Sequence, residues 1–269
     1  MFGLASSPGL TVNGGMTQTP PKAPPRPSLL REVREIALTL IFAIILALAI
    51  RIVLFQPFTI PSSSMEPGLV TGDYIVVSKY PYGWSKASLP FNPAMSPGRL
   101  FGREPRRGDV VVFRLPRDPS EAWIKRVVGL PGDTVQVRGG VVFVNGDPVR
   151  QTRLDVVADH DAPQRRVQQV RETLADGRSY VTYDGGSGLP GDDTPTRRVP
   201  AGCYLMMGDN RDNSLDSRWP PEIGVGLLPA ENIIGRAEMV LASWKPGAGL
   251  FKPWTWLDLQ WDRFLVRIR

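Results

Sequence analysis

The hydrophobic pattern divides the chain into one long apolar run and a long, punctuated remainder. Residues 36–50 are uncharged and almost wholly apolar, and past Arg51 the run continues through Ile52, Val53, Leu54 and Phe55. A helix over 36–55 rises about 30 Å, the thickness of a bilayer core. With its flanks this predicts a transmembrane anchor over 34–56, with Arg51 placed where a long side chain reaches the headgroups. A buried core helix seldom runs so far without polar residues. A cleaved signal peptide is disfavoured, because the run starts deep in the chain and no small-x-small site follows it before Pro57.

Beyond the apolar run, short β-branched stretches bounded by Gly and Pro take over. Residues 73–77, 108–113, 123–129, 134–138, 141–144, 179–183, 204–207 and 233–240 read as strands, and Asn145-Gly146 reads as a hairpin turn. Nothing alternates helix with strand, so 57–253 is predicted to be an all-β sandwich or barrel. Two stretches break the pattern. Residues 80–107, rich in Pro, Gly and aromatics, predict a long loop. Residues 151–199 are charged and weakly patterned, and predict an inserted flap or subdomain at about 145–200. Residues 1–28 hold six prolines and no periodicity, which predicts a disordered tail reaching to about 33. The last segment, 254–269, gathers Trp254, Trp256 and Trp261 with Arg263, Arg267 and Arg269. Aromatic and basic residues favour headgroup depth, so this tail is expected at the lipid interface, the alternative being packing on the core.

Charge adds an orientation. Lys22, Arg26, Arg31 and Arg34 precede the apolar run against Glu32, whereas Arg51 and Lys79 behind it are balanced by Glu66 and Asp73. Positive-inside reasoning puts the N-terminus in the cytoplasm and the β region outside. The net charge of +6 suits anionic lipid as well as nucleic acid and decides nothing alone. The single cysteine, Cys203, excludes an intramolecular disulfide or a multi-cysteine zinc site and reads as a buried small residue. His160 is the only histidine and stands in a charge-rich stretch with no obvious partner. A Ser-His-Asp triad or a histidine metal site would have to use it, so a hydrolase built on this chain is expected to use another base.

Three stretches carry candidate chemistry. In Ile60-Pro61-Ser62-Ser63-Ser64-Met65-Glu66-Pro67-Gly68, three serines lie between prolines that favour extended neighbours. Such a stiff, irregular segment can hold a hydroxyl at a fixed angle, as a nucleophile requires, or can simply link an anchor to a domain. Lys125 interrupts the apolar strand around Trp123, Ile124, Val127 and Val128, and strand alternation sends Lys125 and Arg126 to opposite faces. One of the two should point inwards; a buried lysine loses its charge readily and can act as a base, whereas an outward one merely faces water. The third stretch runs from Met207 through Gly208-Asp209-Asn210-Arg211-Asp212-Asn213-Ser214-Leu215-Asp216-Ser217 to Arg218. A calcium loop starting at Asp212 fails, since Ser217 stands at the glycine position and Ile223 at the terminal glutamate position. A set of short polar side chains suited to a fixed hydrogen-bond network remains.

PSSSMEPG, IKRVVGLPGD and GDNRDNSLDSR, in this order behind a membrane anchor, resemble the bacterial type I signal peptidases, the Ser/Lys leader peptidase family. The resemblance implies a mostly antiparallel β catalytic core with an inserted smaller β region, preceded by one transmembrane helix. It implies Ser64 as nucleophile, Lys125 as general base, and Ser62 with the Ser64 N–H as the oxyanion hole. Ser214 is expected to contact and orient the lysine amine, and Asp216 and Arg218 to form a supporting ion pair. Implied partners are preproteins with signal peptides and the lipid bilayer, with no nucleic acid, no cofactor and no metal, and a monomeric enzyme at the bacterial inner membrane whose catalytic domain is periplasmic. Gly68 departs from the threonine common in the family, and the cysteine pair of some members is absent. Two rivals are a Ser/Lys self-cleaving repressor, which would need a DNA-binding domain in place of the apolar run, and a membrane-tethered β adaptor without catalysis.

Overall fold

The computed structural model describes residues 29–90, 93, 98–245, 247–248 and 252–269. Residues 1–28 of the expected N-terminal tail, and part of the 80–107 loop, lie outside them. Helix α1 spans Leu29–Val53, five residues before the expected start of the anchor at 34, and buries none of its side chains. Among the described residues it is the one helix long and apolar enough to cross a membrane. The helix stops short of Phe55. Pro57 lacks a backbone donor and disfavours helix for Gln56, so the chain turns extended there. The released carbonyls are taken up locally: Lys79 Nζ donates to Ile52 O at 3.1 Å, and Trp84 Nε1 to Val53 O at 2.7 Å. A cation at a helix C-terminus is also where the helix dipole favours it.

Among the described residues fourteen strands follow: β1 Phe55–Thr59, β2 Asp73–Ser78, β3 Val110–Arg114, β4 Ala122–Gly129, β5 Thr134–Arg138, β6 Val141–Val144, β7 Asp147–Pro148, β8 Arg150–Ala158, β9 Arg166–Thr173, β10 Ser179–Asp184, β11 Arg197–Arg198, β12 Cys203–Met207, β13 Leu227–Pro229 and β14 Ile233–Ser243. Every pairing between them is antiparallel. The main sheet runs β1-β2-β14-β3-β4-β12-β13. A four-stranded sheet runs β11-β5-β6-β7 and a three-stranded one β10-β9-β8. The fold is therefore mainly antiparallel β. The stretch expected to be a flap is the long β8–β10 meander, whose β8 and β9 carry charged residues on both faces and so lack a clean apolar alternation. Asn145 and Gly146 both take positive φ, 55° and 92°, as a two-residue hairpin between β6 and β7 requires.

The main sheet is covered on both faces, which explains why β3 reads Val-Val-Val-Phe without alternation. Val110 and Val112 join Ile75, Val77, Ile124 and Val240 in one core, while Val111 and Phe113 join Val127, Tyr204 and Met206 in another. Met65 and Leu69, either side of Glu66-Pro67-Gly68, are buried in the first of these cores. Burying Met65 contributes roughly 2 kcal/mol and clamps the serine segment onto the sheet.

The C-terminal tail packs on the protein. Val240 N donates to Val266 O (2.8 Å), Ile268 N to Glu238 O (3.0 Å) and Gln260 N to Ser243 O (2.9 Å), and Arg263 forks onto Asp73. Trp254 and Trp261 nevertheless stay outside, 79% and 69% exposed. Replacing both by serine is expected to weaken binding to anionic vesicles without lowering the melting temperature, because rings this exposed contribute little to packing. Unchanged vesicle binding in a co-sedimentation assay would remove the lipid-interface reading of this tail.

Candidate active site

The serine segment enters from β1 in extended conformation, with Ser62 at φ −143° and ψ 155°. It then makes a single 3-10 turn over Ser63–Met65, closed by Glu66 N donating to Ser63 O at 3.1 Å. Three contacts from the polar stretch after β12 hold this turn. Asn210 N donates to Ser64 O at 3.2 Å, Asn210 Nδ2 to Ser63 O at 3.3 Å, and Asn213 Nδ2 to Ser63 Oγ at 2.8 Å. Gly208 makes the approach feasible, since a Cβ there would stand 2.5 Å from Ser64 O and 2.3 Å from Ser214 Oγ. The buried Met65 fixes the turn from below and the asparagines fix it from above.

β4 supplies the amine. Lys125 Nζ lies 2.8 Å from Ser64 Oγ and donates to Ile124 O at 3.0 Å. Trp123, two residues earlier and on the same strand face, sets its ring 5.4 Å from Nζ. Burial pushes the Lys125 ammonium down to about 8, against the opposing fields of Asp216 and Asp209. The expectation that only one of Lys125 and Arg126 points inwards is corrected: both are buried, on opposite faces, because β4 is an interior strand with structure over each side. Arg126 forks onto Asp209 at 2.7 and 2.6 Å and stacks 3.9 Å over the Tyr180 ring. Sequence reasoning placed Asp209, Asn210 and Asn213 in a hydrogen-bond network without giving any of them a partner, and it gave Trp123 no role beside Lys125.

Ser62 Oγ stands 3.5 Å from Ser64 Oγ. Asp216 and Arg218 form a two-point ion pair at 3.0 and 2.9 Å, and Gly208 N donates to Asp216 Oδ2 at 3.0 Å. Burial would raise the Asp216 carboxyl, but the Arg218 guanidinium and the backbone donors hold it below its usual range. Ser214 Oγ is buried without a hydrogen-bond partner, so its expected contact with the lysine amine is not formed in this structure. Ser62, Ser64, Lys125, Asn213 and Ser214 border one groove of about 610 Å³, walled by Pro61, Trp123, Ile124, Leu215 and Trp219.

Lys79 is a second lysine whose charge burial disfavours, also to about 8, assisted by Arg51 and Arg114. Its amine donates to the carbonyls of Ile52 and Ser88, which have no proton to give, so it is a capping group and not a base. His160, expected to lack a partner, lies 3.1 Å from Asp161 and 3.8 Å from Glu66. Those three are the one group among the described residues with donor atoms close enough to hold a metal ion. Cys203 is half-buried against the valines of β4 and β5 and takes no part in the groove.

A buried serine–lysine contact beside an uncommitted apolar groove fits amide hydrolysis without histidine. The family model described as "Signal peptidase, peptidase S26" matches residues 33–244. A signal peptidase I from Rickettsia typhi is 39% identical over 80% of this chain and 82% of its own length. Another from Rickettsia prowazekii is 40% identical over 76% of this chain and 78% of its own. A solved signal peptidase I from Enterococcus faecalis is 26% identical and covers 50% of this chain and 97% of that one, at a TM-score of 0.30, too low to argue from. By the family match and the identity to these relatives, the chain belongs to the signal peptidases of the peptidase S26 family.

Proposed function

We propose that this chain is a membrane-anchored serine endopeptidase that removes N-terminal signal peptides from exported preproteins, with Ser64 as nucleophile and Lys125 as general base. The observation that carries the reading is the 2.8 Å approach of Lys125 Nζ to Ser64 Oγ, made between two buried groups. The neutral amine takes the Ser64 proton, and the alkoxide attacks the carbonyl of the last residue of the signal peptide. Ser62 Oγ and the Ser64 N–H hold the developing oxyanion. The ammonium then protonates the leaving amine, and a water activated by the restored amine releases the acyl-enzyme. Asp216 and Arg218 brace the polar stretch against Gly208, which keeps the asparagines on the serine turn. Ser214, an uncommitted hydroxyl on the same groove, is placed to hold the lysine amine once substrate is bound.

Helix α1 serves as the anchor, with the N-terminus cytoplasmic, the β domain on the outer face of the inner membrane, and the enzyme working as a monomer. The test is cleavage of a purified preprotein by the full chain in detergent, with Ser64→Ala as control and mass spectrometry of the mature product. A folded wild type that leaves preproteins intact would sink the proposal. Specificity should rest on small side chains one and three residues before the cut, because shallow apolar walls such as Ile124 and Leu215 exclude larger ones by overlap. In a peptide series, alanine at either position is expected to be cut at least roughly tenfold faster than leucine or phenylalanine. Equal rates would defeat this account of the groove.

A further inference from the structure

Behind the serine turn lies a second cluster that the hydrolytic reading does not use. Glu66 is fully buried, and neither of its carboxylate oxygens makes a hydrogen bond of good geometry, although the Asp159 carboxyl and the His160 backbone N–H stand close to it. Buried carboxylates are ordinarily paired or bound to a metal. Glu66 Oε1 faces His160 Nδ1 at 3.8 Å, and His160 Nδ1 lies 3.1 Å from Asp161 Oδ1. The donor atoms of all three residues lie within 4.8 Å of one another. A tetrahedral zinc site with ligands at 2.0–2.2 Å has edges of about 3.4 Å, and the two short separations straddle that value. Asp159, also buried, leaves Oδ2 without a hydrogen bond, although Arg165 stands 3.6 Å away. His160 and Asp161 remain about a third exposed, which gives an ion a way in.

We propose that Glu66, His160 and Asp161 form a binding site for a divalent transition-metal cation of the Zn²⁺ type. One imidazole nitrogen with two carboxylates suits such an ion better than Mg²⁺ or Ca²⁺, which take oxygen ligands. Asp161 is already oriented, because its other oxygen accepts a hydrogen bond from Thr71 Oγ1. The ion would join two parts of the domain that the sequence keeps apart. Glu66 closes the nucleophile turn, while His160 and Asp161 lie in the connection between β8 and β9. This role is separate from the proposed hydrolysis, and neither depends on the other.

The test is calorimetric titration of the metal-free full chain in detergent with Zn²⁺. One ion per chain is expected, with affinity falling at least tenfold in His160→Ala and in Glu66→Gln and unchanged in Cys203→Ser. His160 is about a third exposed, so its replacement tests the site even if Glu66→Gln fails to fold. It is also the only histidine. Its single imidazole nitrogen pair should therefore shift in a long-range proton–nitrogen spectrum when Zn²⁺ is added. No stoichiometric binding, binding as tight in His160→Ala, or an unmoved imidazole signal would each overturn the proposal.

Discussion

Lys125→Ala and Ser64→Ala are each expected to lower turnover on the order of ten-thousandfold, with the domain still folded. The competing buried lysine serves as control: Lys79→Met removes an amine with the same depressed proton affinity but only a capping role, so turnover should survive. Lys125→Arg should be as inactive as the alanine variant, since a guanidinium does not deprotonate in a protein. In the wild type, activity should rise with pH through about 8, where the Lys125 amine loses its proton. The same shift has a consequence for stability. A lysine bound to fewer protons folded than unfolded makes stability climb as pH rises between about 8 and its ordinary value of 10.5. Below that window the buried amine costs about 3 kcal/mol, from 1.36 kcal/mol per unit. Lys125→Met, which fills the same channel without a charge, should therefore be inactive yet melt several degrees higher at neutral pH. The advantage should fade as the pH approaches 10.5. A folded, active Lys125→Ala enzyme, or a pH limb that disappears in Lys79→Met, would end the Ser/Lys reading.

Much of this arrangement is legible in the amino-acid sequence, for identifiable reasons. β2, β3, β4, β6 and β12 are β-branched or apolar runs closed by glycine or proline, and the signal is local. β1 was hidden because Phe55 continues the apolar run of α1, and only Pro57 announces the change. β8 and β9 were hidden because they carry arginine, glutamine and glutamate where a one-sided strand would alternate. The three-serine segment and Lys125 stood out by their settings, and the resemblance to the signal peptidases singled out Ser64 among the serines. Their supports did not, because Asn210 and Asn213 reach serines about 150 residues away, and no periodicity encodes such a distance. Expecting one of Lys125 and Arg126 to point inwards fell short of both being covered for a related reason. Alternation tells which residues share a face, but not whether both faces will be covered.

That buried arginine supports the second large prediction. Arg126 and Asp209 are 3% and 1% exposed, joined by two hydrogen bonds. The guanidinium also donates to Gly108 O at 2.6 Å and to Arg269 O at 2.9 Å, and lies over Tyr180 of β10. The pair thus sits where the main sheet, the β8–β10 sheet and the C-terminus meet. Asp209 belongs to the stretch that holds the nucleophile, since Tyr183 N donates to Asp209 O and the next residue holds Ser64 O. Asp209→Ala leaves an unpaired charge in a dry interior and should cost about 3–5 kcal/mol. That corresponds to a fall in melting temperature of roughly ten degrees for a domain of this size. Activity should fall with it, because Asn210 loses its fixed neighbour. The double variant Arg126→Met/Asp209→Leu removes both charges and keeps similar volume, so most of the lost stability should return. Melting curves of the two single variants and the double, measured at one pH, supply the cycle. If Asp209→Ala melts within about 1 kcal/mol of the wild type, the pair is a solvated contact and not the brace described here.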